Sequence, residues 1–264
     1  MNIFADIGNT AIKWCEVEHL PELQVSGPNK PATDLSRCFR RIERAQHREA
    51  IQVSPATSRC WWISSVNQPA ATWLAGWLHQ TFPEDRVEWI SRHHMPIKVE
   101  VDEPDTVGLD RLLGSVAVNA RRDPLASAIY CDFGTATTVN VISDSGVFQG
   151  GAIMPGIQTQ LRSLSQATDR LPDIDWKTET MPSSWVGKRT RSAILSGVVY
   201  GHAFGVTELV RRHVAAHGDS VELWITGGGL PNVEIDWPVT PHFVPHLVLE
   251  GILHYAVSQS NRNE

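Results

Sequence analysis

The sequence lacks the features that mark several large protein classes. No run of about 18 apolar residues occurs, so no transmembrane helix is predicted. No basic start is followed by a cleavable apolar stretch, which argues against a secretory signal peptide. Lys and Arg number 23 against 29 Asp and Glu, and this net charge of −6 argues against a surface for nucleic acid or anionic membrane. We therefore expect a cytoplasmic protein with no nucleic-acid and no membrane partner.

Cysteine is scarce, and the signatures of several enzyme families are missing. Neither a disulfide framework nor a zinc site is predicted, because no C-x-x-C pair occurs among Cys15, Cys38, Cys60 and Cys131. No G-x-G-x-x-G, G-x-S-x-G or H-E-x-x-H motif occurs. The segment Gly187-Lys188-Arg189-Thr190 lacks the upstream glycine of a Walker loop, because position 182 is Pro.

The composition is that of a folded chain with one large or two modest domains. Its 264 residues are 42% hydrophobic and 20% charged, which argues against disorder. Short apolar runs predict strands over residues 2–5, 11–17, 60–65, 87–90, 128–131, 137–142, 147–151 and 223–225. Helical spacing of apolar residues, or a charged run, predicts helices over 36–50, 69–81, 108–121, 157–170, 191–215 and 246–258. Residues 21–35 are predicted as a loop.

One pattern occurs twice along the chain. Residues 2–17 hold Asp6-Ile7-Gly8-Asn9-Thr10 between two apolar stretches, and residues 128–142 hold Asp132-Phe133-Gly134-Thr135-Ala136 in the same setting. Two units that begin alike, about half the chain apart, indicate a duplicated α/β domain. Two copies facing each other would form a cleft, and we expect both turns to face into it.

The residue types of these turns suit phosphate binding. Glycine lets the backbone approach a ligand, and backbone N–H groups with Thr or Asn side chains can bond phosphate oxygens. The Asp at the strand end can hold a hydrated cation. The alternative is an ordinary hairpin turn, which prefers the same residues. Two related turns favour phosphate binding, and a third glycine turn, Thr226-Gly227-Gly228-Gly229, supports it.

A second candidate is Gly108-Leu109-Asp110-Arg111 at the start of a predicted helix. Asp110 could accept a proton from a substrate hydroxyl, and Arg111 could hold a carboxylate or phosphate. A helix N-terminus favours anions at this position. The alternative is an Asp near the N-cap beside a surface Arg, and the local sequence alone favours that alternative.

Histidine and glycine recur at helical spacing. Two histidine pairs stand four residues apart, a spacing that can place two metal ligands on one helix face. Neither pair encloses Glu or Cys, so surface or packing roles are expected for His213 with His217 and for His242 with His246. Gly197, Gly201 and Gly205 lie on one face of a predicted helix, at about 1 kcal/mol each against Ala. Another helix, a partner subunit or a nucleotide is expected to approach that face, with packing favoured.

Together these motifs make the chain similar to type III pantothenate kinases, which belong to the actin-like superfamily of sugar kinases, acetate kinase and chaperone ATPases. Each motif is weak by itself, but five of them occur in the family's order along nearly the whole chain. The matching segments are Asp6 to Thr10 with Lys13, Pro104-x-x-Val107-Gly108-Leu109-Asp110-Arg111, Asp132 to Thr138, Gly150-Gly151-Ala152-Ile153-x-Pro155-Gly156, and Thr226-Gly227-Gly228, with Thr190 before the glycine-bearing helix.

The resemblance implies a fold and a reaction. It implies an α/β fold of two duplicated actin-like (ribonuclease H-like) domains with a nucleotide cleft between them. We place the domains at residues 1–122 and 123–264, and the final helix is a candidate to pack back on the first domain. The implied reaction is ATP-dependent phosphorylation of pantothenate to 4'-phosphopantothenate, the first step of coenzyme A biosynthesis. The implied assembly is a homodimer that uses Mg²⁺ and a monovalent cation, K⁺ or NH₄⁺.

The resemblance also implies residue roles by motif position. Asp110 is the general base, Asp6 acts on the phosphates through Mg²⁺, and Asp132 binds the monovalent cation. The ATP and phosphate contacts are Asp6, Ile7, Gly8, Asn9, Thr10, Ala11, Ile12, Lys13 and Thr135. The pantothenate contacts are Gly108, Leu109, Asp110, Arg111 and Thr190.

Two positions depart from the family pattern. Val101, three residues before Pro104, stands where the family commonly has Tyr, which would loosen one wall of the pantothenate pocket. Asn140 stands where the family commonly has Asp, which removes one carboxylate near the cation site. The alternatives are another small-molecule kinase or a phosphohydrolase on the same fold, or a non-catalytic transcription accessory protein that keeps the cleft. The presence of all three predicted catalytic and cation-binding aspartates argues against lost catalysis.

Overall fold

The computed structural model describes residues 1–18, 20, 39–43, 51–56, 58–181, 185–217 and 220–262. The chain forms two compact units. The first unit consists of Met1–Pro124, Ile142–Gln149 and His246–Glu264. The second unit consists of Leu125–Val141 and Gly150–Pro245. Each unit is therefore assembled from segments that are separate in sequence.

The first sheet has five strands among the described residues. They are β1 (Asn2–Ile7), β2 (Ala11–Val17), β3 (Arg40–Glu43), β4 (Cys60–Ser65) and β5 (Arg86–Trp89), in the order β3-β2-β1-β4-β5. β2 is antiparallel to both β1 and β3, whereas β1, β4 and β5 are parallel neighbours. The first strand therefore lies at the centre, with a hairpin on one side and crossover strands on the other.

The second sheet repeats this arrangement. Its strands are β6 (Ser127–Phe133), β7 (Ala136–Ile142), β8 (Phe148–Pro155), β9 (Val221–Thr226) and β10 (Pro241–Phe243), in the order β10-β9-β6-β7-β8. β6 and β9 are parallel, and so are β9 and β10. In each sheet the first strand of the unit lies at the centre, the next two strands along the chain lie on one side of it, and the last two lie on the other. This confirms the duplicated α/β class predicted from the repeated turn.

Five α-helices lie in the described residues: α1 (Gln68–Thr81), α2 (Leu109–Arg121), α3 (Ile157–Ala167), α4 (Thr190–His217) and α5 (Leu247–Ser260). Short 3-10 helices cover Arg92–His94 and Pro104–Thr106. Each α-helix matches a predicted helix to within a few residues at either end. α1 begins where the sequence dictates, because the Asn67 side chain accepts a hydrogen bond from the N–H group of Ala70 and Pro69 fits the first turn.

The prediction of a helix over 36–50 is wrong. Arg40–Glu43 form β3, which pairs with β2, and residues 36–38 and 44–50 lie outside the described part of the chain. Ile42 is buried in the core, while the charged neighbours follow the exposed edge of the sheet. These charged residues, whose run predicted a helix, instead lie on an edge strand of the sheet. The predicted loop over 21–35 also lies outside the described residues.

The first sheet has an apolar cluster on each face. Phe4 and Trp62 pack in a cluster with residues of α2 and α5, whereas Ile3 and Trp61 pack in a second cluster with residues of α1. This follows from the alternation of side chains along each strand. α2 and α5 approach closely at Gly251, where a Cβ atom would overlap the carbonyl of Leu113. The cores thus fix the strand ends and the start of α2 that carry the candidate site.

α4 meets the length and composition of a membrane-spanning helix, and it is the one such helix among the residues the structure describes. Half of its apolar 18-residue window is buried. Leu195 and Val199 belong to one apolar cluster of the second unit, and Val206 and Val210 belong to another. Packing within the unit therefore accounts for the apolar residues of this helix.

Candidate active site

The first turn joins β1 to β2. Asp6 lies inside β1, one residue before its end, rather than in the turn itself, and only 5% of its surface is exposed. It is paired in register with Lys13, whose Nζ lies 4.0 Å from the Asp6 Oδ2. The Gly8 N–H group donates to the Ala11 carbonyl at 3.0 Å, which closes a tight turn. Asn9 is exposed in that turn, so its backbone can meet a ligand.

The charges at this turn are arranged for an anion with an associated cation. The pair of Asp6 and Lys13 is loose, and the lysine side chain is one-third exposed, so Lys13 can turn toward a phosphate. The Asn9 side chain is tied to α1, because Asn67 Nδ2 donates to Asn9 Oδ1 at 3.3 Å. The turn is thereby connected to the first turn of α1, whose N–H groups favour negative charge.

The candidate catalytic residue lies at the start of α2. Asp110 Oδ1 accepts a hydrogen bond of 2.9 Å from the N–H group of Arg111. Its carboxylate folds back over the N-cap residue Gly108, and a Cβ atom at that position would overlap Oδ1. The glycine of the motif therefore leaves room for the aspartate side chain in this position. A half-buried carboxylate held by backbone at a helix start suits proton acceptance.

Arg111 is positioned by packing. Its guanidinium carbon lies 5.3 Å from the centre of the Phe148 ring, and that ring is fully buried. Arg111 is itself partly buried, so its charge is presented at a defined place beside Asp110. This arrangement argues against the alternative of a freely solvated surface Arg.

A groove of about 400 Å³ lies in the first unit beside the start of α2. It is lined by Leu109, by the ends of β4 and β5 with the residue that follows (Ser65, Trp89 and Ile90), and by α1 residues including Gln68 and Ala71. Ligands bind at the carboxyl ends of parallel strands in open α/β sheets, and this groove has that position. Of its lining residues only Leu109 was predicted, because the others come from segments with no motif of their own. The apolar segments that form the parallel strands β4 and β5 were the feature of the sequence that could have indicated this groove.

The second turn joins β6 to β7. Asp132 is the last residue but one of β6, and Gly134 donates its N–H group to the Ala136 carbonyl at 3.0 Å. Gly134 and Thr135 are exposed. The turn thus repeats the first one, with the hydrogen bond spanning one residue fewer.

The glycine turn after β9 packs against this second turn. The Gly229 N–H group donates to the Phe133 carbonyl at 2.8 Å. Gly227 has a φ of +94°, and a Cβ atom there would overlap the same carbonyl. Two of the three predicted glycine turns are therefore in contact within the second unit.

A third segment supports the same turn. The Gly156 N–H group and the Thr159 hydroxyl both donate to the Thr135 carbonyl, at 2.9 and 2.7 Å. A Cβ atom on Gly156 would overlap the carbonyl of Gly134. The Pro155-Gly156 element of the sequence motif thus acts as a backbone support for the turn that carries Thr135.

The predicted site residues are divided between the two units. The first unit holds residues 6–13 and 108–111, and the second holds Asp132, Thr135 and Thr190. Thr190 is the exposed first residue of α4. The structure therefore brings Asp6 next to Lys13, Asp110 next to Arg111, and the Asp132 strand end next to the Thr135 turn.

The two departures from the family pattern have structural roles here. Asn140 is fully buried, and its amide donates to the Tyr130 carbonyl at 3.2 Å and to the Thr138 hydroxyl at 2.9 Å. A neutral side chain at that position avoids burying a charge. Val101 is partly buried against the apolar cluster shared by α2 and α5. Both residues are thus explained by packing.

The cysteines and histidines bear on the expectation of no zinc site and no disulfide framework. Among the described residues, no three His, Cys, Asp or Glu side chains gather at a distance suited to a metal ion. Cys15, Cys60 and Cys131 form no disulfide bond among the described residues, and Cys38 lies outside them. His242 stacks on Trp224 and His246 on Phe39, while His217 hydrogen-bonds the His213 carbonyl. The histidine pairs therefore have the packing and surface roles that were expected.

Residues 2–212 match the family model of type III pantothenate kinases. A type III pantothenate kinase from Rhodopirellula baltica is 32% identical, over 94% of this chain and 97% of its own length. The chain belongs to the type III pantothenate kinase family. As a member, it is a kinase that phosphorylates pantothenate for coenzyme A biosynthesis, and it uses ATP.

Other comparisons agree with this membership. A type III pantothenate kinase from Rubrobacter xylanophilus is 37% identical over 60% of this chain and 61% of its own. A solved structure from Campylobacter jejuni, assigned to the Baf family of transcriptional activators, covers 99% of this chain and all of its own with a TM-score of 0.58. At 17% identity that structure shows a shared fold. The predicted family and reaction of this pantothenate kinase are confirmed.

Proposed function

We propose that the chain transfers the γ-phosphoryl group of ATP to the hydroxyl group of pantothenate with Asp110 as the general base, giving 4'-phosphopantothenate. The observation that carries this assignment is the carboxylate of Asp110, held by the Arg111 N–H group at the start of α2. A base in that position takes the hydroxyl proton as the oxygen attacks phosphorus. The remaining requirement is to position the phosphates and neutralise their charge.

The two Asp-Gly turns provide phosphate contacts. In the first turn, Asn9 and Thr10 are exposed and offer backbone groups, and Lys13 offers its ammonium group. In the second turn, Thr135 offers its hydroxyl and an exposed backbone position supported by Gly156. Backbone N–H groups at glycine turns bind phosphate oxygens without competing side-chain bulk. These contacts account for the ATP-binding residues assigned above.

Two cations complete the proposal. Asp6 fits an indirect Mg²⁺ partner, because its carboxylate is nearly buried and reaches the phosphate turn only from within β1, so water or phosphate oxygens would bridge to the ion. Asp132 fits a monovalent cation, K⁺ or NH₄⁺, since a single carboxylate stands beside turn carbonyls at the end of β6. Bound there, these ions would neutralise phosphate charge. Asp132→Ala is expected to abolish K⁺ activation of turnover, and unchanged activation would refute this site.

Pantothenate is a carboxylic acid with a hydroxyl at its other end. We assign its contacts to Gly108, Leu109, Asp110, Arg111 and Thr190. The fixed guanidinium of Arg111 suits the carboxylate, because Arg binds carboxylates with two parallel hydrogen bonds. Asp110 suits the hydroxyl. We thus assign the hydroxyl end of the substrate to Asp110 and the carboxylate end to Arg111.

The homodimer is proposed on an exposed face of α4. Gly197 and Gly201 meet no neighbouring atom within 4 Å of a built Cβ position. Beside them Trp185 and Phe204 are exposed, with ring centres 5.2 Å apart, and Phe204 stacks on Tyr200. Bulky rings and glycine hollows on one surface are self-complementary, which suits a two-fold interface. We also propose two domains, residues 1–122 and 123–264, with the final helix α5 packed back on the first domain. We further propose a cytoplasmic enzyme without nucleic-acid or membrane partners.

Release of ADP from purified protein tests the proposal. The protein is incubated with ATP, Mg²⁺ and K⁺, with and without pantothenate, and the assay is repeated with Na⁺ in place of K⁺. Pantothenate-dependent release that falls when Na⁺ replaces K⁺ would support both the acceptor and the cation. Release without an acceptor would indicate a phosphohydrolase. Folded protein that binds ATP without releasing ADP would indicate an accessory role.

A further inference from the structure

A buried polar network lies behind the turn that carries Thr135. Its centre is His202 of α4, which has 2% of its surface exposed. The His202 Nε2 lies 3.0 Å from the Thr137 hydroxyl, and its Nδ1 lies 2.8 Å from the Gln160 amide nitrogen. The reaction described above uses none of these three residues. The hydrogen bonds that link the buried His202 and Thr137 to the partly buried Gln160 therefore require another explanation.

Gln160 determines which nitrogen of His202 carries the proton. Its amide nitrogen donates one hydrogen to the Pro155 carbonyl at 2.8 Å, and a flipped amide would oppose two oxygens there. The second amide hydrogen is directed at His202 Nδ1, which must accept it. The histidine proton is thus assigned from the network to Nε2, where it is donated to Thr137. The ring is neutral and held at both nitrogens.

The network is connected to the phosphate turn on both sides. Pro155, which accepts from Gln160, precedes Gly156, and Gly156 donates to the Thr135 carbonyl. Thr159, on the same helix as Gln160, donates to that carbonyl as well. On the other side, Thr137 follows Thr135 by two residues along β7. These hydrogen bonds and the backbone between them therefore form a closed circuit around the Thr135 turn.

We propose that His202 and Gln160, with Thr137, are positioning residues that hold the Thr135 turn in the shape that binds ATP. This inference rests on the proposed contact between Thr135 and ATP. When the Gln160 amide is lost or loses its acceptor on His202 and turns away, the Pro155 carbonyl is released and the backbone of the turn can shift. The ATP contact then weakens, because small misplacements of positioning groups are costly. Contacts of pantothenate with residues 108–111 are unaffected, since those residues belong to the first unit.

Paired variants on α3 test the role of Gln160. Gln160→Leu removes the bonds to Pro155 and His202, while the control Gln158→Leu removes a bond of the same length to the Ile174 carbonyl. The expected result for Gln160→Leu is a rise of about tenfold in the KM for ATP, because two hydrogen bonds of the network are lost, with the KM for pantothenate unchanged. The control is expected to leave both KM values unchanged. Equal KM values for ATP in the two variants would overturn the proposal.

Paired variants at position 202 separate positioning from packing. His202→Asn keeps an acceptor near the position of Nδ1, whereas His202→Leu, of similar size, keeps none. Both are expected to lower Tm, but only His202→Leu should raise the KM for ATP. If both variants raise the KM for ATP in proportion to their loss of Tm, His202 is only a packing residue. Thr135→Val is measured alongside: if it changes the KM for ATP while Gln160→Leu does not, this inference fails and the proposed ATP contact stands. If neither variant changes that KM, the contact itself fails.

Discussion

At the scale of single residues, Asp110 carries the most specific assignment. Replacement by Asn preserves shape and removes the proton acceptor, so Asp110→Asn is expected to lower kcat by about 10²–10⁴. Binding of ATP should persist, because the phosphate contacts lie elsewhere, and it is measured as the rise of Tm with added ATP. Asp105→Asn, which changes an exposed carboxylate five residues earlier, serves as the control and should keep normal turnover. Near-normal kcat in Asp110→Asn would refute the base.

The acid sensitivity of the second unit should trace to His202. Burial lowers the pKa of its imidazole below the ordinary value of 6.5. The groups that hydrogen-bond or stack with the ring are Thr137, Gln160 and Phe133, from β7, α3 and β6, and all are neutral. The unfolded chain therefore binds a proton here at a pH where the folded chain does not. Folding stability from this group is complete above pH 6.5 and is lost as the pH falls toward the folded pKa.

The measurement is Tm between pH 8 and pH 5.5 for the wild type and for His202→Asn. Subtracting the two curves removes other titrating groups, including His213, whose pKa is also lowered by burial. As the pH falls, the Tm of the wild type is expected to decrease by more than the Tm of the variant. Parallel curves would contradict a neutral buried His202.

At the scale of elements, the pair of α2 and α5 holds the catalytic helix in place. Arg121 Nε and Nη2 donate to both carboxylate oxygens of Glu250, at 2.6 and 2.8 Å, and both side chains are buried. Burial raises the pKa of Glu250, but the neighbouring His254 and the hydrogen bonds from Arg121 outweigh this effect, and the net pKa is lowered. The Glu250 carboxylate is therefore charged in the folded protein, and it compensates the buried charge of Arg121.

Glu250→Gln is expected to destabilise the protein by about 3–5 kcal/mol, because it leaves the Arg121 charge buried without its counter-charge. Denaturant unfolding gives the free energy. Glu208→Gln is the control, since Glu208 pairs with Arg211 and Arg212 on an exposed face of α4 and should leave unfolding unchanged. Equal effects of the two substitutions would show that the buried pair is dispensable.

Some elements can be predicted well from the sequence and others poorly, for physical reasons. α2 and the repeated turns are predictable, since apolar periodicity and the Asp-x-Gly pattern are local. β3 is not, because Arg40–Glu43 has the charge of a helix face and becomes a strand only by pairing with β2. The groove beside Leu109 and the His202 circuit are assembled from distant segments, so no local pattern reports them. Gly108 is the exception at the site, because its motif already places it next to Asp110.

At the scale of the whole molecule, the dimer prediction depends on the face of α4. Gly201→Leu fills a hollow that no described residue of the chain occupies, so the molar mass in light scattering is expected to fall by half. Gly76→Leu is the matched control, since Gly76 is also an exposed helical glycine with nothing within 4 Å of its built Cβ, but lies on α1. A dimeric Gly201→Leu variant would place the interface elsewhere.

The segmented make-up of the first unit has a consequence for synthesis. α5 fits directly against α2, with Gly251 on the Leu113 carbonyl, yet it is translated only after the whole of the second unit. Domains commonly fold as they emerge, N-terminal first. Here that order is reversed, because the sheet face that packs on α2 and α5 stays partly uncovered until α5 is made. A chain that ends before Leu247 and has left the ribosome would therefore hold a protease-resistant second unit and a protease-sensitive first unit.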